Sequence, residues 1–157
     1  MVEQKLKVVS ARLAQTFGPG VANTDNRVFA QFIRSAIAKE DIVLHTDGSS
    51  MGNYCYLPDV IKALLLLAVE GKSGEAYNIV NEVTNVSIKQ MATLVATEFG
   101  NGKVIIDIPD EDMGYAPKVN LHLSGEKLRR LGWHSDFDLK QMFTRTIDSF
   151  CKELDNE

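Results

Sequence analysis

The stretch Pro58 to Gly71, PDVIKALLLLAVEG, sets the tightest limit on what this chain can fold into. Pro58 stands where the first turn of a helix tolerates a missing N–H, and Gly71 where a helix C-cap belongs. Between them Leu64 to Val69 is apolar on every side, so this helix is expected to be buried on most of its circumference. Such a helix needs cover from other elements, and the flanking segments read as strands. KVVSARLAQTFGPGV, from Lys7 to Val21, reads as a buried strand entering a glycine–proline turn. DIVLHTDG, NYCYL, EAYNIV and KVIIDIP read as further strands.

Three more helices alternate with these strands. TDNRVFAQFIRSAIAKE places Val28, Phe32, Ile33, Ala36 and Ile37 on one face, with Thr24 or Asp25 as expected N-cap. SIKQMATLVATEFG opens on a Ser87/Gln90 capping box, and DLKQMFTRTIDSFCKEL on an Asp138/Gln141 box. The last of these gathers Leu139, Met142, Phe143, Ile147, Phe150 and Leu154 as its inner face. A short helix is expected at SGEKLRRLG, after the polar loop DEDMGYAPKVN. Alternation of this kind predicts an α/β architecture. The order β-α-β-β-α-β-α-β-α-α does not complete a doubly wound nucleotide-binding unit. It reads as pieces of a larger sheet plus a small lobe.

Composition removes several function classes. With 45% apolar and 24% charged residues in 157, the chain can bury a substantial core. The net charge is −4, and the densest basic stretch, EKLRRLGW, holds three cations, so nucleic acid is not expected as a partner. ALLLLAV is far shorter than the roughly 20 residues of a bilayer span, and no membrane partner is expected. Cys55 and Cys151 match no metal spacing and read as reduced thiols of a cytoplasmic protein. His122 and His134 pair with no other ligand at metal spacing, so no metal is expected.

ARLAQTFGPG, NRVFAQFI, DGSSMGNYCYLPD, AYNIVN and LGW occur in one order and with spacings that resemble the C-terminal half of the extended short-chain dehydrogenase/reductase family. The similarity is to its NAD-dependent nucleotide-sugar epimerases and dehydratases, and it covers nearly the whole chain. It implies an α/β fold, the C-terminal fragment of an extended Rossmann-type fold, with residues 7–14 and 75–80 as strands of the parent's central sheet. Residues 1–157 would then be a single substrate-binding portion, with the N-terminal dinucleotide-binding half absent. Two family signatures are missing from the sequence. Neither G-x-G-x-x-G nor G-x-x-G-x-x-G occurs, since GPGVAN fails at Asn23. None of Tyr54, Tyr56, Tyr77 and Tyr115 has a lysine four residues on, so the Tyr-x-x-x-Lys proton-transfer pair is lacking. The resemblance therefore implies NAD in the parent enzyme, none on this chain alone, and no catalytic residue here. A freestanding nucleotide-sugar binding module, a partner for a separately encoded N-terminal half, and a purely structural fragment stay open as alternatives.

The same resemblance nominates binding residues. Gln15 occupies the position of an Asn that holds the sugar-nucleotide phosphate, although a polar residue closing a strand end reads the same way. Ala14 matches a position whose backbone approaches the nicotinamide, and Phe17 replaces a Tyr and is expected in the core. Arg27 and Val28 match the start of a helix lining the nucleotide site. Val43, Leu44 and His45 match a strand end that cradles the base, with the imidazole able to stack. Gly52 stands where the family carries an Arg that clamps the phosphates, and Tyr115 or Lys118 could substitute for a second family Arg. Asp59 reads as a helix N-terminal charge, and LGW as the packing contact between the last two helices. The expected ligand is a nucleotide-diphosphate sugar, with possible self-association through an exposed sheet edge.

Overall fold

The computed structural model describes residues 6–110, 114 and 117–154. The Lys7–Val21 segment is two strands, not one. β1 (Ser10–Leu13) pairs in parallel with β6 (Ala76–Ile79), whereas β2 (Gln15–Phe17) pairs in parallel with β5 (Tyr54–Tyr56). Ala14 still donates its N–H to the Ile79 carbonyl at 3.0 Å, and the next residue is already opposite Tyr54. Strands are thus present within 7–14 and 75–80, each shorter at both ends than expected. β3 (Ile42–Leu44) pairs in parallel with β8 (Val104–Ile106), and two-residue β4 (Met51–Gly52) pairs antiparallel with β7 (Val86–Ser87).

Helices α1 (Val28–Ala38), α2 (Leu57–Glu70), α3 (Ile88–Glu98), α4 (Glu126–Arg129) and α5 (Leu139–Leu154) fall where the apolar periodicity places them. The Ser87/Gln90 box closes both ways at the start of α3. At α5 the Gln141 N–H donates to the Asp138 carboxylate, and the Asp138 N–H to the Gln141 side chain. The start of α1 differs from expectation. Its N-cap is Arg27, with no side-chain cap bond, because Asp25 accepts the Arg27 N–H and the Arg27 guanidinium instead of a helical N–H. Neither Thr24 nor Asp25 caps it.

Two apolar clusters form. One joins β2, α1, β3, α3 and α5 around Phe17, which stacks on Phe29 at 4.7 Å between ring centroids and meets Phe143 at 5.0 Å. Phe17 is core, as expected. Met142, Phe143 and Phe150 of α5 are buried there, with Leu139 and Ile147 half-buried; the Leu154 side chain lies outside the described residues. The second cluster joins α2, β6 and α4 through Val60, Ala63, Leu67, Tyr77, Leu128 and Trp133. Trp133 therefore ties α4 to α2, with its indole N–H donating to the Asp59 carbonyl at 3.1 Å. LGW does not pack the last two helices on each other, because Leu131 and Trp133 find their apolar partners in the cluster of α2.

Helix α2 corrects another expectation. Only Asp59, Val60, Ala63 and Leu67 are buried, while Leu65 and Val69 are 65% and 70% exposed. One stripe lies on the second cluster, and Ile61, Leu64, Leu65 and Ala68 form a second stripe at helical spacing that no described residue covers. No helix among the described residues is long and apolar enough to cross a membrane.

Asp59, in the first turn of α2, is buried and accepts the Asp136 N–H on both carboxylate oxygens, at 3.1 and 3.2 Å. Burial nevertheless pushes its carboxyl above the ordinary 3.8, so charging it is disfavoured in the folded chain. A raised folded pKa means that this group's contribution to stability falls as pH rises through the window above 3.8. Asp59→Asn keeps an acceptor for Asp136 and removes that loss. Urea titrations from pH 4 to 7 should show the variant gaining on the wild type as pH rises. Phe17→Ala, emptying the aromatic stack, should cost about 3–5 kcal/mol in the same titrations.

Candidate functional site

A parallel pair opens a crevice beyond its carboxyl ends when neighbouring strands part company, and that happens at Ala14. A cavity of about 190 Å³ lies there. Its floor is Leu13, Ala14 and Gln15; Gly52 and Tyr54 form one wall, and Val119 and Leu121 overhang it. Three nominated residues, Ala14, Gln15 and Gly52, are therefore brought together around one space. Gly52 leaves room: a Cβ added there meets only the Tyr54 hydroxyl, at 3.9 Å.

The overhang is held by buried amides. The Met51 N–H donates to the Val119 carbonyl at 2.8 Å, and the Leu121 N–H to the Met51 carbonyl at 3.2 Å. Asn53, buried, accepts the Leu123 N–H and the Asn85 amide on its oxygen, both at 3.1 Å, and donates to the Asn81 carbonyl at 3.2 Å. The Asn85 amide also donates to the Leu121 carbonyl at 2.6 Å. Asn81 in turn donates to the Phe137 carbonyl, and the Tyr54 N–H donates to the Thr84 hydroxyl. Sequence reasoning missed Asn53, Asn81 and Asn85. The signal was present as three short amides near strand ends, positions where such side chains substitute for backbone partners.

The other nominated residues lie elsewhere. Arg27 borders a separate depression of about 350 Å³ with Thr16, Pro19 and Leu57. Its guanidinium is already engaged: it donates to both Asp25 oxygens, donates to the Thr16 carbonyl at 3.3 Å, and lies over Phe29 at 4.7 Å. Side-chain hydrogen bonds with Arg27 hold the Asp25 carboxyl below its ordinary range and raise the Arg27 pKa in return. Val28 is half-buried against the first cluster. On β3, Leu44 is buried, Val43 is 42% exposed, and His45 Nδ1 lies 3.0 Å from the Asp107 carbonyl. Tyr115 lies outside the described residues; Lys118 is exposed and acts with Lys89 on the Asp47 carboxylate, whose pKa is lowered chiefly by Ser49 hydrogen bonds. Cys55 is buried and its thiol is pushed up to about 12, first by burial and then by the Asp59 charge, so it is no nucleophile.

The Gly18–Gly20 turn serves packing and chain reversal. Gly18 is needed for packing, since a Cβ there would sit 2.9 Å from the Leu57 Cβ, and Gly20 takes a positive φ of 83° to turn the chain. Ala14 has given its N–H to Ile79.

The profile of the NAD dependent epimerase/dehydratase family matches residues 1–80. This chain belongs to that family. UDP-glucuronic acid decarboxylase 1 of Xenopus tropicalis is 26% identical over all of this chain and 36% of its own length. The human dTDP-D-glucose 4,6-dehydratase is 26% identical over 98% of this chain and 44% of its own. The chain thus spans less than half the length of these relatives. Among solved structures, UDP-glucose 4-epimerase from Thermotoga maritima, with UDP-glucose, superposes with a TM-score of 0.77 at 24% identity, over 93% of this chain and 46% of that one. The Bordetella bronchiseptica enzyme WbmF, in complex with NADH, gives 0.78 at 25% identity, over 96% and 47%. The α/β fold with parallel strand pairs is that of about half of such a Rossmann-type chain.

The amide lattice makes a local forecast. Asn53→Leu leaves the Leu123 N–H and the Asn81 carbonyl without that partner, at a cost of about 1–3 kcal/mol. Hydrogen exchange should accelerate at Leu121 and Leu123 before it does in α1 or α3.

Proposed function

We propose that this chain is the substrate-binding portion of an NAD-dependent nucleotide-sugar epimerase or dehydratase, and that it performs no turnover by itself. The observation that carries the reading is the cleft at the Ala14 partner change, which gathers Gln15 and Gly52 in a member of this family. A nucleotide sugar fits such a reading because solved relatives hold UDP-glucose and UDP-glucuronic acid. The parent chemistry would oxidise a sugar hydroxyl transiently and then epimerise, eliminate or decarboxylate through the keto form. That requires a hydride acceptor's cradle and a base matched to the hydroxyl proton, and the sequence carries neither the glycine-rich turn nor Tyr-x-x-x-Lys.

A turnover assay with UDP-glucose, UDP-glucuronic acid and dTDP-glucose, each with NAD, should give no product and no NADH absorbance. Calorimetry with the same three compounds should give a heat of binding without NAD. Turnover by the pure chain overturns the first half of the proposal, and silence with all three compounds overturns the second.

A second reading, a surface that takes another polypeptide, is favoured by α2 and β1. The outer edge of β6 is covered by the 124–127 segment, where Lys127 donates to the Ala76 carbonyl and Asn78 to the Ser124 carbonyl. The outer edge of β1 pairs with no described strand, and a groove of about 250 Å³ runs between Val9, Ala11, Leu64 and Ala68. Self-association through this face should appear in light scattering as a concentration-dependent mass. Leu65→Glu should abolish it while leaving the unfolding midpoint within about 0.5 kcal/mol of wild type, since Leu65 touches neither cluster.

A further inference from the structure

The chemistry of the cleft lining differs from what a diphosphate asks for. Phosphate oxygens are held by charge-assisted donors, commonly a guanidinium, an ammonium or a helix N-terminus. Around this cavity most side chains are apolar, Leu13, Met51, Ile88, Val119, Leu121 and Leu123 among them, with a few neutral polar groups. Two of those are already engaged: Ser50 accepts the Val119 N–H, and Asn53 makes three hydrogen bonds inside the protein. The Gln15 amide and the Tyr54 hydroxyl remain to meet a ligand. Tyr54 is 2% exposed, its ring is set edge-on against Phe17, and its hydroxyl lies beside the open space at Gly52. Burial raises its pKa, so the group is a neutral O–H able to donate and to accept. Lys89 and Lys118 act on Asp47, and Lys89 lines a different depression alongside Ser49 and Thr93.

We infer that the cleft at Leu13–Gln15 takes a neutral, hydroxyl-bearing ring and not a phosphate, with the Tyr54 hydroxyl and the Gln15 amide selecting it. This rests on the nucleotide-sugar reading and changes its layout: the sugar occupies the space that the family resemblance gives to the diphosphate. The apolar overhang of Val119 and Leu121 then serves to cover the carbon face of the ring, while the hydroxyl and amide meet its edge. The vacancy beside Gly52 is what admits the ring, since a long cation there would fill it.

Amide NMR on the whole chain tests this, with methyl β-glucoside and inorganic pyrophosphate as separate probes. Methyl β-glucoside should shift the amides of Ala14, Gln15, Gly52 and Tyr54, and Tyr54→Phe should weaken it about threefold to tenfold. Pyrophosphate should leave those amides still in the wild type and shift them in Gly52→Arg. Pyrophosphate shifts in the wild type, or glucoside shifts that are absent or unchanged in Tyr54→Phe, overturn the inference. Should Gly52→Arg not fold, the two probes on wild type and Tyr54→Phe decide the matter. A UDP-glucose titration of the same samples separates the layers. If UDP-glucose binds while the glucoside prediction fails, the neutral cleft alone is overturned; if UDP-glucose shifts no residue in any sample, the underlying reading falls with it.

Discussion

Ala14 and Gln15 are neighbours in sequence that hydrogen-bond to different strands, and most of the architecture follows from that change of partner. The handover from Ile79 to Tyr54 separates a β1–β6 pair from a β2–β5 pair. Each pair then collects its own apolar cluster, one lined by Tyr77 and Trp133 and the other by Phe17 and Phe29. The backbone groups at the handover must still be satisfied. Where the two pairs diverge there is a gap, and the gap is the cleft.

Keeping that gap open without collapse calls for polar groups in a buried place. The chain uses amides and one hydroxyl: Asn53, Asn81, Asn85 and Thr84. Amides suit the task because each carries both donors and an acceptor, and none brings the desolvation cost of a buried charge. Every buried side-chain nitrogen and oxygen among the described residues has a partner. The lattice thereby ties the 119–123 segment to the cleft through Asn53, Asn85 and Met51. It also leaves the cleft's chemistry neutral, which a buried salt bridge in the same position would not.

The helices were legible in the sequence because their signals are local. The Ser87/Gln90 and Asp138/Gln141 boxes and the 3.6-residue apolar period of α5 involve residues a turn apart. What was not legible depends on partners far along the chain. Nothing between Lys7 and Val21 announces that a single apolar run changes partner at Ala14, since both halves carry the same period. Asp25 could equally have capped α1 or held the Arg27 guanidinium; the competition between guanidinium and helix N–H for one carboxylate is settled by geometry. Trp133 shows the same limit, as its packing onto α2 spans 74 residues. Of the candidate site, Ala14, Gln15 and Gly52 line one cavity, while Arg27, the β3 residues Val43 and Leu44, and His45 just beyond β3 lie outside it, since which strand ends meet depends on pairings far along the chain.

Helix α2 shows how a correct inference about demand can miss the supply. An all-round apolar helix asks for cover on two sides, and within this chain only Val60, Ala63 and Leu67 receive it. The asymmetry extends to the adjoining sheet, where β6 has its outer edge closed by Lys127 and Asn78 and β1 has not. An uncovered apolar stripe and an unpaired strand edge lie on the same side of one βα unit, and a single added strand with its own helix would satisfy both. Right-handed crossovers place successive helices on one face of a parallel sheet, so such a helix would arrive against Ile61, Leu64 and Leu65. Leu13, two residues beyond Ala11 on the same face of β1, lines the cleft and is 51% exposed.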